Sequence, residues 1–472
     1  MAIGSTNAIG IYINPEASWG ETPSSPVMQS LRFTGESLAF AKQTVVSDTI
    51  RTDRMRDQIA LVGWNTQGEL NFELEFFDYD DLLSGAMFAN WVGAFSKTGT
   101  TIAATSTTIT DSGNGFGSVP VNSYIWVTGF ATASLNRRYR VTAATAGALT
   151  VSPAPATTEA ASASVTVSCG GIAITAVTTT LTITVAGSTV TFGGTTGFNP
   201  TTASNLVVGQ WVYFSGFAQA ANNGLKRISA LTATTIVVEQ TLTSESVTAT
   251  TVIKIAGRRL RNGTTQRSFH IEKAFTDINQ YMSMRGMTVN GAKLEINSGE
   301  IIKGSFDLMG KTVVRTGSTN AASLIAQNTT TLLTASNNIG AITQNGTAVS
   351  VGIKSISLDI ANNLRMSEQI GSLYPYALGY GFMDVTGQIE VYFENSTLYD
   401  QLINHTSTSL SWPMTDDAGN TYVITLPSVI FTEGYPMGSG GNDDVTIPLS
   451  FQAVRNSTYN CQIQIDQLPS FS

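Results

Sequence analysis

Among side chains suited to acid–base, nucleophilic or metal chemistry, this 472-residue chain has two histidines and two cysteines, beside 33 carboxylates. Neither His270 nor His405 has a nucleophile or carboxylate at a motif spacing, so histidine-based catalysis has little material. Cys169 and Cys461 stand 292 positions apart with neither metal-ligand nor redox spacing, which reads as two small buried or half-buried residues. No G-x-S-x-G elbow, G-x-x-x-x-G-K-[ST] phosphate loop or H-E-x-x-H zinc motif is written in the chain. The acidic cluster of Asp78, Asp80 and Asp81 could ligate a cation. With no histidine or further carboxylate cluster beside it, negative charge at a helix start is the better reading. A glycosidase carboxylate pair would leave no mark in spacing, but the missing motifs together set the expectation of no enzymatic activity, no cofactor and no metal.

The elements that carry these residues follow from composition. Apolar residues make up 42% and charged ones only 12%, in a chain crowded with Thr, Ser, Ala, Gly and Val. That balance favours β structure over charged amphipathic helices. The length suggests two to four domains. A net charge of −8 and a pI near 4.9 argue against gripping nucleic acid by phosphate neutralisation, and leave room for an acidic wall that repels DNA. The first residues lack a basic stretch followed by an apolar core, and no run of about eighteen apolar residues occurs, so neither export nor membrane insertion is expected. The Asn-x-Ser/Thr triplets at Asn262, Asn328, Asn345, Asn395, Asn404 and Asn456 carry no weight without a secretion signal.

Two nested repeats organise the chain. The inner one lies within about residues 100–256. It aligns Tyr124-Ile-Trp-Val-Thr-Gly-Phe130 with Trp211-Val-Tyr-Phe-Ser-Gly-Phe217, and the same offset brings Asn136 onto Asn223 and Arg140 onto Arg227. Each copy alternates with period two between turn residues, as small all-β modules do, and residues 153–168 read as a linker or exposed hairpin. The outer repeat matches Gly68-Glu-Leu-Asn-Phe-Glu-Leu-Glu75 to Gly387-Gln-Ile-Glu-Val-Tyr-Phe-Glu394, places Ser37-Leu38 on Ser357-Leu358, and sets Ile302, Phe306 and Leu308 opposite Ile447, Phe451 and Ala453. One fold is written twice, and its first copy is split by the modules. The expected division is 1–96 with 259–315 for the first domain, 97–172 and 173–258 for the modules, 316–346 for a connector and 347–472 for the second domain.

Strict alternation puts Glu69, Asn71, Glu73 and Glu75 on one face and Leu70, Phe72, Leu74 and Phe76 on the other. The matching strand sets Gln388, Glu390, Tyr392 and Glu394 against Ile389, Val391 and Phe393. Each strand runs into a short helical pattern, the first with Asp80 and Asp81 at its start and the second with Ser396-Thr397 available as a cap. Before the strands come two longer segments. Residues 44–67 carry Arg51, Asp53, Arg54, Arg56 and Asp57; residues 362–386 carry Leu373, Tyr374, Tyr376 and Tyr380. Large apolar groups on a loop often mark a contact surface, the alternative being a hairpin folded on its own domain. The segment Gly438-Ser-Gly-Gly441 reads as a flexible hairpin tip.

The stretch SLRFTGESLAFAKQTVVSDTIRTDRMRD, the strand GELNFELEF and the following DYDDLLSGAM resemble the tail tube proteins of long-tailed bacteriophages, as do FHIEKAFTDINQYMSMRGMTVN and GEIIKGSFDLMGKT. The resemblance covers both copies of the outer repeat and leaves the modules outside. It implies a β-sandwich with a flanking helix, ring formation, strands lining a channel for double-stranded DNA and a long loop reaching the next ring. The expected fold is therefore mainly β: two tandem tube-like sandwiches plus two small β modules. With two copies per chain, the implied ring is a pseudo-sixfold homotrimer.

On this resemblance the channel-lining role falls on Glu69, Asn71, Glu73, Glu75, Gln388, Glu390 and Glu394, where negative charge would repel phosphate. The inter-ring role falls on Arg51, Asp53, Arg54, Arg56, Asp57, Leu373, Tyr374, Tyr376 and Tyr380. The implied partners are further copies of the chain, a terminator, a tape measure and a distal tail protein, in a virion tail made in the host cytoplasm, with no membrane contact. Two other readings stay open: a trimeric glycan-binding adhesin or receptor-binding tail component, and a single-ring terminator or baseplate channel protein.

Overall fold

The computed structural model describes residues 3–24, 26–161, 164–176, 181–195, 197–248, 250–438 and 440–471. Two residues of the 153–168 stretch, Ser162 and Ala163, and Ser439 of the glycine-rich tip lie outside them.

The chain is mainly β. In the first half of the body are β1 (Ile9–Pro15), β2 (Val27–Leu31), β3 (Gly35–Glu36), β4 (Ala39–Val46), β5 (Ile59–Glu73) and helix α1 (Asp80–Ala86). After a long excursion come β6 (Phe269–Phe275), β7 (Gln280–Asn297) and β8 (Lys303–Gly310). The second half holds β9 (Ile353–Ala361), β10 (Asp384–Tyr392), helix α2 (Thr397–Ile403), β11 (Thr408–Thr415), β12 (Thr421–Glu433), β13 (Thr446–Ala453) and β14 (Gln464–Leu468). Both halves show the expected strand followed by one short helix.

The halves superimpose in topology and in detail. β5 pairs with β8 as β10 pairs with β13, and β3 lies on β5 as β9 lies on β10. Gly68 and Gly387 occupy the same place: a Cβ would stand 2.5 Å from the Ser37 carbonyl in one and 2.2 Å from the Ser357 carbonyl in the other. Only glycine lets the strands approach there. The next amides, Glu69 N–H and Gln388 N–H, donate to Ser37 Oγ and Ser357 Oγ at 2.9 and 3.2 Å. Long strands β7 and β12 carry bulges at the same step, after Val289 and after Phe431. The structure slides one sequence pairing by two residues. Leu308 faces Gly68 and Phe451 faces Gly387, so Leu308, not Phe306, is the counterpart of Phe451. A slip of two keeps the same side chains inside, which is why alternation could not detect it.

Most consequentially, β7 of the first half pairs antiparallel with β9 of the second, from Gly291 opposite Ala361 to Asn297 opposite Ser355. The order β5–β8–β7–β9–β10–β13 is thus one unbroken antiparallel ladder across both halves. Its inner face buries Leu70, Phe72, Leu294, Phe306, Leu358, Ile389 and Phe451. Phe72 stacks on Phe306 at 4.9 Å, and α1 adds Leu82 and Ala86 to the same core.

Residues 95–169 and 171–256 form two further sheets with separate cores. Their strand orders correspond, and Arg138–Ala144 and Gly224–Leu231 are bulged at equivalent steps against the strands that follow them, Ala148–Ser152 and Thr235–Val238. Asn136 Oδ1 accepts Phe130 N–H at 2.9 Å as Asn223 Oδ1 accepts Phe217 N–H at 3.0 Å. These sheets are tied to the body by Arg258, which bonds Asp80 at 2.8 Å and lies 3.7 Å over the Trp126 ring. Residues 316–346 are docked along the body: Ser323–Ile325 pairs parallel with β2, and Leu333 is buried between Leu74 and Ile302 through backbone bonds to both.

Candidate functional site

The outer face of the six-stranded ladder is polar and runs across both halves of the body. Because strand residues alternate, register alone places Glu69, Asn71 and Glu73 beside Asp307, Ser305 and Lys303, then Lys293 and Glu295, then Asp359, Ser357 and Ser355, then Gln388 and Glu390. Glu69 and Glu73 are half-buried, Asn71 and Gln388 exposed. Shallow concavities lie along this face at Glu69, Lys293 and Asp307 and at Asn71, Glu73 and Lys303.

The charge of this face differs from the sequence expectation. Lys293 pairs with Asp359 at 3.6 Å and Lys354 with Glu390 at 2.9 Å; the latter bond holds the Glu390 carboxyl below its usual range. Six carboxylates, from Glu69, Glu73, Glu295, Asp307, Asp359 and Glu390, face three lysines, 293, 303 and 354, a balance of −3. The missed residues sit on strands between the two copies of the conspicuous motif. Their signal was there, in the alternation of Gly291-Ala-Lys-Leu-Glu-Ile-Asn297.

Glu75 is a correction. β5 ends at Glu73, and beyond it the chain turns inward, so Glu75 is fully buried, with Arg32 Nη1 at 2.6 Å. Burial and neighbouring Asp78 outweigh Arg32 and push the Glu75 carboxyl up to about 8. Glu394 lies just past β10, exposed, accepting Gly352 N–H at 2.9 Å.

The acidic cluster is spread over separate tasks. Asp78 is buried and accepts Gln29 Nε2 and Arg32 N–H, each at 3.0 Å. Asp80 and Asp81 occupy the first turn of α1 and meet Arg258 and Arg267 at 2.8 and 3.6 Å. Ser396 stands at the cap position of α2, but its hydroxyl donates to Asp400 at 2.7 Å; Asn395 Oδ1 takes the Thr397 N–H instead. His270 is buried against Ser283 Oγ at 2.7 Å, and burial drives its pKa down to about 4. Both cysteines are buried and free.

The two loop segments come together. β4 and β5 extend as a hairpin beyond the sheet, with residues 47–58 at its tip. There Arg51 meets Asp53 and Asp57, each at 2.7 Å, Arg56 meets Asp48 at 3.0 Å, and Arg54 holds a positive φ of 60°. In the second half Arg365–Ser367 pairs with Ala377–Gly379. Trp64 joins the two: its ring lies 5.4 Å from Phe40 and 5.3 Å from Tyr374, and its N–H donates to the Leu373 carbonyl at 2.9 Å. Tyr380 instead packs edge-on against Phe88 at 5.3 Å. The compound arm leaves Ile50, Met55, Ile59, Ile370, Tyr376 and Phe382 strongly exposed.

Comparison with known families agrees with this architecture. The sequence profile of the phage tail tube protein family matches twice, over residues 6–243 and 186–453, consistent with a duplicated tube domain. The chain belongs to the phage tail tube protein family. Its role is accordingly structural, as a self-assembling component of the tail tube alongside other tail proteins. No curated protein matches the chain. Among the described residues, no helix is long and apolar enough to cross a membrane.

Proposed function

We propose that three chains close into a ring of pseudo-sixfold symmetry, that rings stack into a tube, and that the polar face of the ladder lines the bore through which double-stranded DNA is ejected. The observation that supports this most is the unbroken sheet from β5 to β13, which carries both tube-like halves with one continuous charged face. Such a face repels phosphate overall, while its lysines keep the wall from excluding DNA strongly.

In this reading Glu69, Asn71, Glu73, Gln388 and Glu390 face the bore, with Glu394 at a strand end. The compound arm carrying Arg51, Asp53, Arg54, Arg56, Asp57, Leu373, Tyr374 and Tyr376 reaches the neighbouring ring, where its exposed apolar groups are covered. Residues 1–96 with 259–315 form one tube domain and 347–472 the other; 97–172 and 173–258 decorate the outside, and 316–346 connects. The partners are a terminator, a tape measure and a distal tail protein, in the virion of a siphovirus assembled in the bacterial cytoplasm, with no catalytic step. Negative-stain microscopy of the concentrated pure protein tests this. Hollow tubes with threefold end views are expected; monomers alone, or isolated rings that never stack, would overturn it.

A further inference from the structure

Where the first module meets the body, a cleft of about 270 Å³ opens between the hairpin Tyr124–Thr128/Arg138–Ala144, strands β1 and β2, the start of α1 and residues 325–328. Four arginines line it, Arg137, Arg138, Arg258 and Arg267, against two carboxylates, Asp80 and Asp81, a balance of +2. The carboxylates are already engaged: Arg258 bonds Asp80 at 2.8 Å and Arg267 lies 3.6 Å from Asp81. Among the described residues, the guanidinium groups of Arg137 and Arg138 have neither an ion-pair partner nor a hydrogen-bond acceptor. Arg138 instead lies 4.1 Å over the Phe77 ring, and burial holds its pKa below the usual guanidinium value although Asp80 pulls the other way. Stacking on the ring fixes the plane of the fork and leaves its edge N–H groups unmet. Arg137 Nε and Arg258 Nε are likewise buried without a partner.

The inner repeat shows that the module fold does not need this charge. The offset that brings Arg140 onto Arg227 sets Arg137 and Arg138 on Gly224 and Leu225. Leu225 packs against Trp211, Val423 and Leu468. The second module thus meets the body through an aliphatic side chain at the position where the first presents an unpaired guanidinium. Taking such a group out of water costs free energy unless an acceptor replaces the water.

We infer that this cleft is a binding site for a phosphate group, either the free ion or one carried on a small ester. Two unpaired guanidinium groups match the charge of a phosphate dianion, and its oxygens offer the acceptors that their forks lack. Arg138 and Arg258 cover faces of Phe77 and Trp126, which leaves the donor edges as the recognition surface and little ring area for stacking a sugar. The volume stands just below the usual range for small-ligand pockets, about 300–1,000 Å³, and suits an ion or a small ester.

Calorimetric titration of the purified protein with inorganic phosphate, at constant ionic strength, should show one saturable site per chain. Arg138→Leu copies the residue that the second module carries at this position, so the variant should fold and melt no lower than the original in phosphate-free buffer. Its phosphate affinity should fall about tenfold or more, as the loss of one charge-assisted hydrogen bond predicts. Arg138→Lys keeps the charge without the fork and should fall between the two. No saturable binding by the original chain, or equal binding by the original and Arg138→Leu, overturns the site. Should Arg138→Leu fail to fold, melting of the unaltered chain decides: a melting temperature that rises to a plateau with phosphate and stays put with chloride supports the site, and no rise overturns it. Glucuronate, a carboxylate on a sugar, overturns the phosphate assignment if it binds more tightly than phosphate. Glucose 6-phosphate binding more tightly than the free ion supports the site with an ester as its occupant, and the reverse order supports it with the ion.

Discussion

If the polar face of the ladder lines the bore, reversing its charge should turn a slippery wall into a sticky one, and the structure says which carboxylates to change. Among the described residues, Glu69, Glu73 and Glu295 lie on the polar face without an ion-pair partner, whereas Glu390 and Asp359 are each held by a lysine. Changing these three to Lys leaves three carboxylates against six lysines and moves the balance from −3 to +3 per chain. Glu75 must be left alone, because a lysine there would be buried beside Arg32 and would report on folding. If the three excess charges each neutralise one phosphate, affinity falls with salt at a slope of about −0.9 per contact, or about 40-fold per engaged chain between 50 and 200 mM. The assays are tube formation by microscopy, salt-dependent retention of linear double-stranded DNA by tubes, and ejection rate in reconstituted virions. Variant tubes should form normally, hold DNA at low salt and release it slowly. Normal tubes that retain no DNA and eject at the original rate would show that this face does not line the bore.

Other perturbations probe the remaining parts. Trp64→Ala removes two aromatic contacts, each worth about 0.5–1.5 kcal/mol, that join the halves of the arm; the chain should fold, as circular dichroism would report, while tubes shorten or fail. Unaltered tube length would separate the arm from stacking. Phe306→Ala in the shared core should cost about 3–5 kcal/mol in denaturant unfolding, since the ring is fully buried against Phe72. Glu75 has a folded-state pKa near 8, above its unfolded value, so its contribution is complete below about 4.5 and lost as pH rises through 8. Glu75→Gln should therefore flatten the fall of melting temperature between pH 5 and 8, and an unchanged slope would place that titration elsewhere. His270 works in the opposite sense. Held near 4, it contributes above its unfolded value near 6.5 and is lost on acidification, by about 3 kcal/mol at most; His270→Gln should reduce the acid sensitivity of unfolding.

Alternation and repetition carried much of this architecture in plain sight. The run from Glu69 to Phe72 and its match from Gln388 to Val391 announced two half-buried strands, and the Tyr124/Trp211 alignment announced two like sheets. What stayed hidden was neighbourhood. Period-two patterning assigns a face but not a partner strand, so the alternation that puts Lys293 on a polar face gave no sign that it lies beside Asp359 or that β7 joins β9. Glu75 continued the pattern on paper, but alternation has meaning only while the strand lasts, and β5 stops at Glu73. Nothing in the sequence singled out Trp64; its role emerges only where Phe40 and Tyr374, more than 300 positions apart, meet around it.

The sheet also imposes an order in time. Glu69 cannot find Asp307 until 238 further residues have left the ribosome, about 10–50 s at 5–20 residues per second. Among the described residues, the strands of 95–169 and of 171–256 pair only within their own sheets, so both sheets can finish while β5 still waits. A nascent chain can therefore spend this interval with both sheets paired beside an unsatisfied strand, and β14, emerging about 200 residues later, then closes on Arg258–Arg261 just past them. Whatever else they do, these two sheets can complete their own strand pairing before the ladder of the body can.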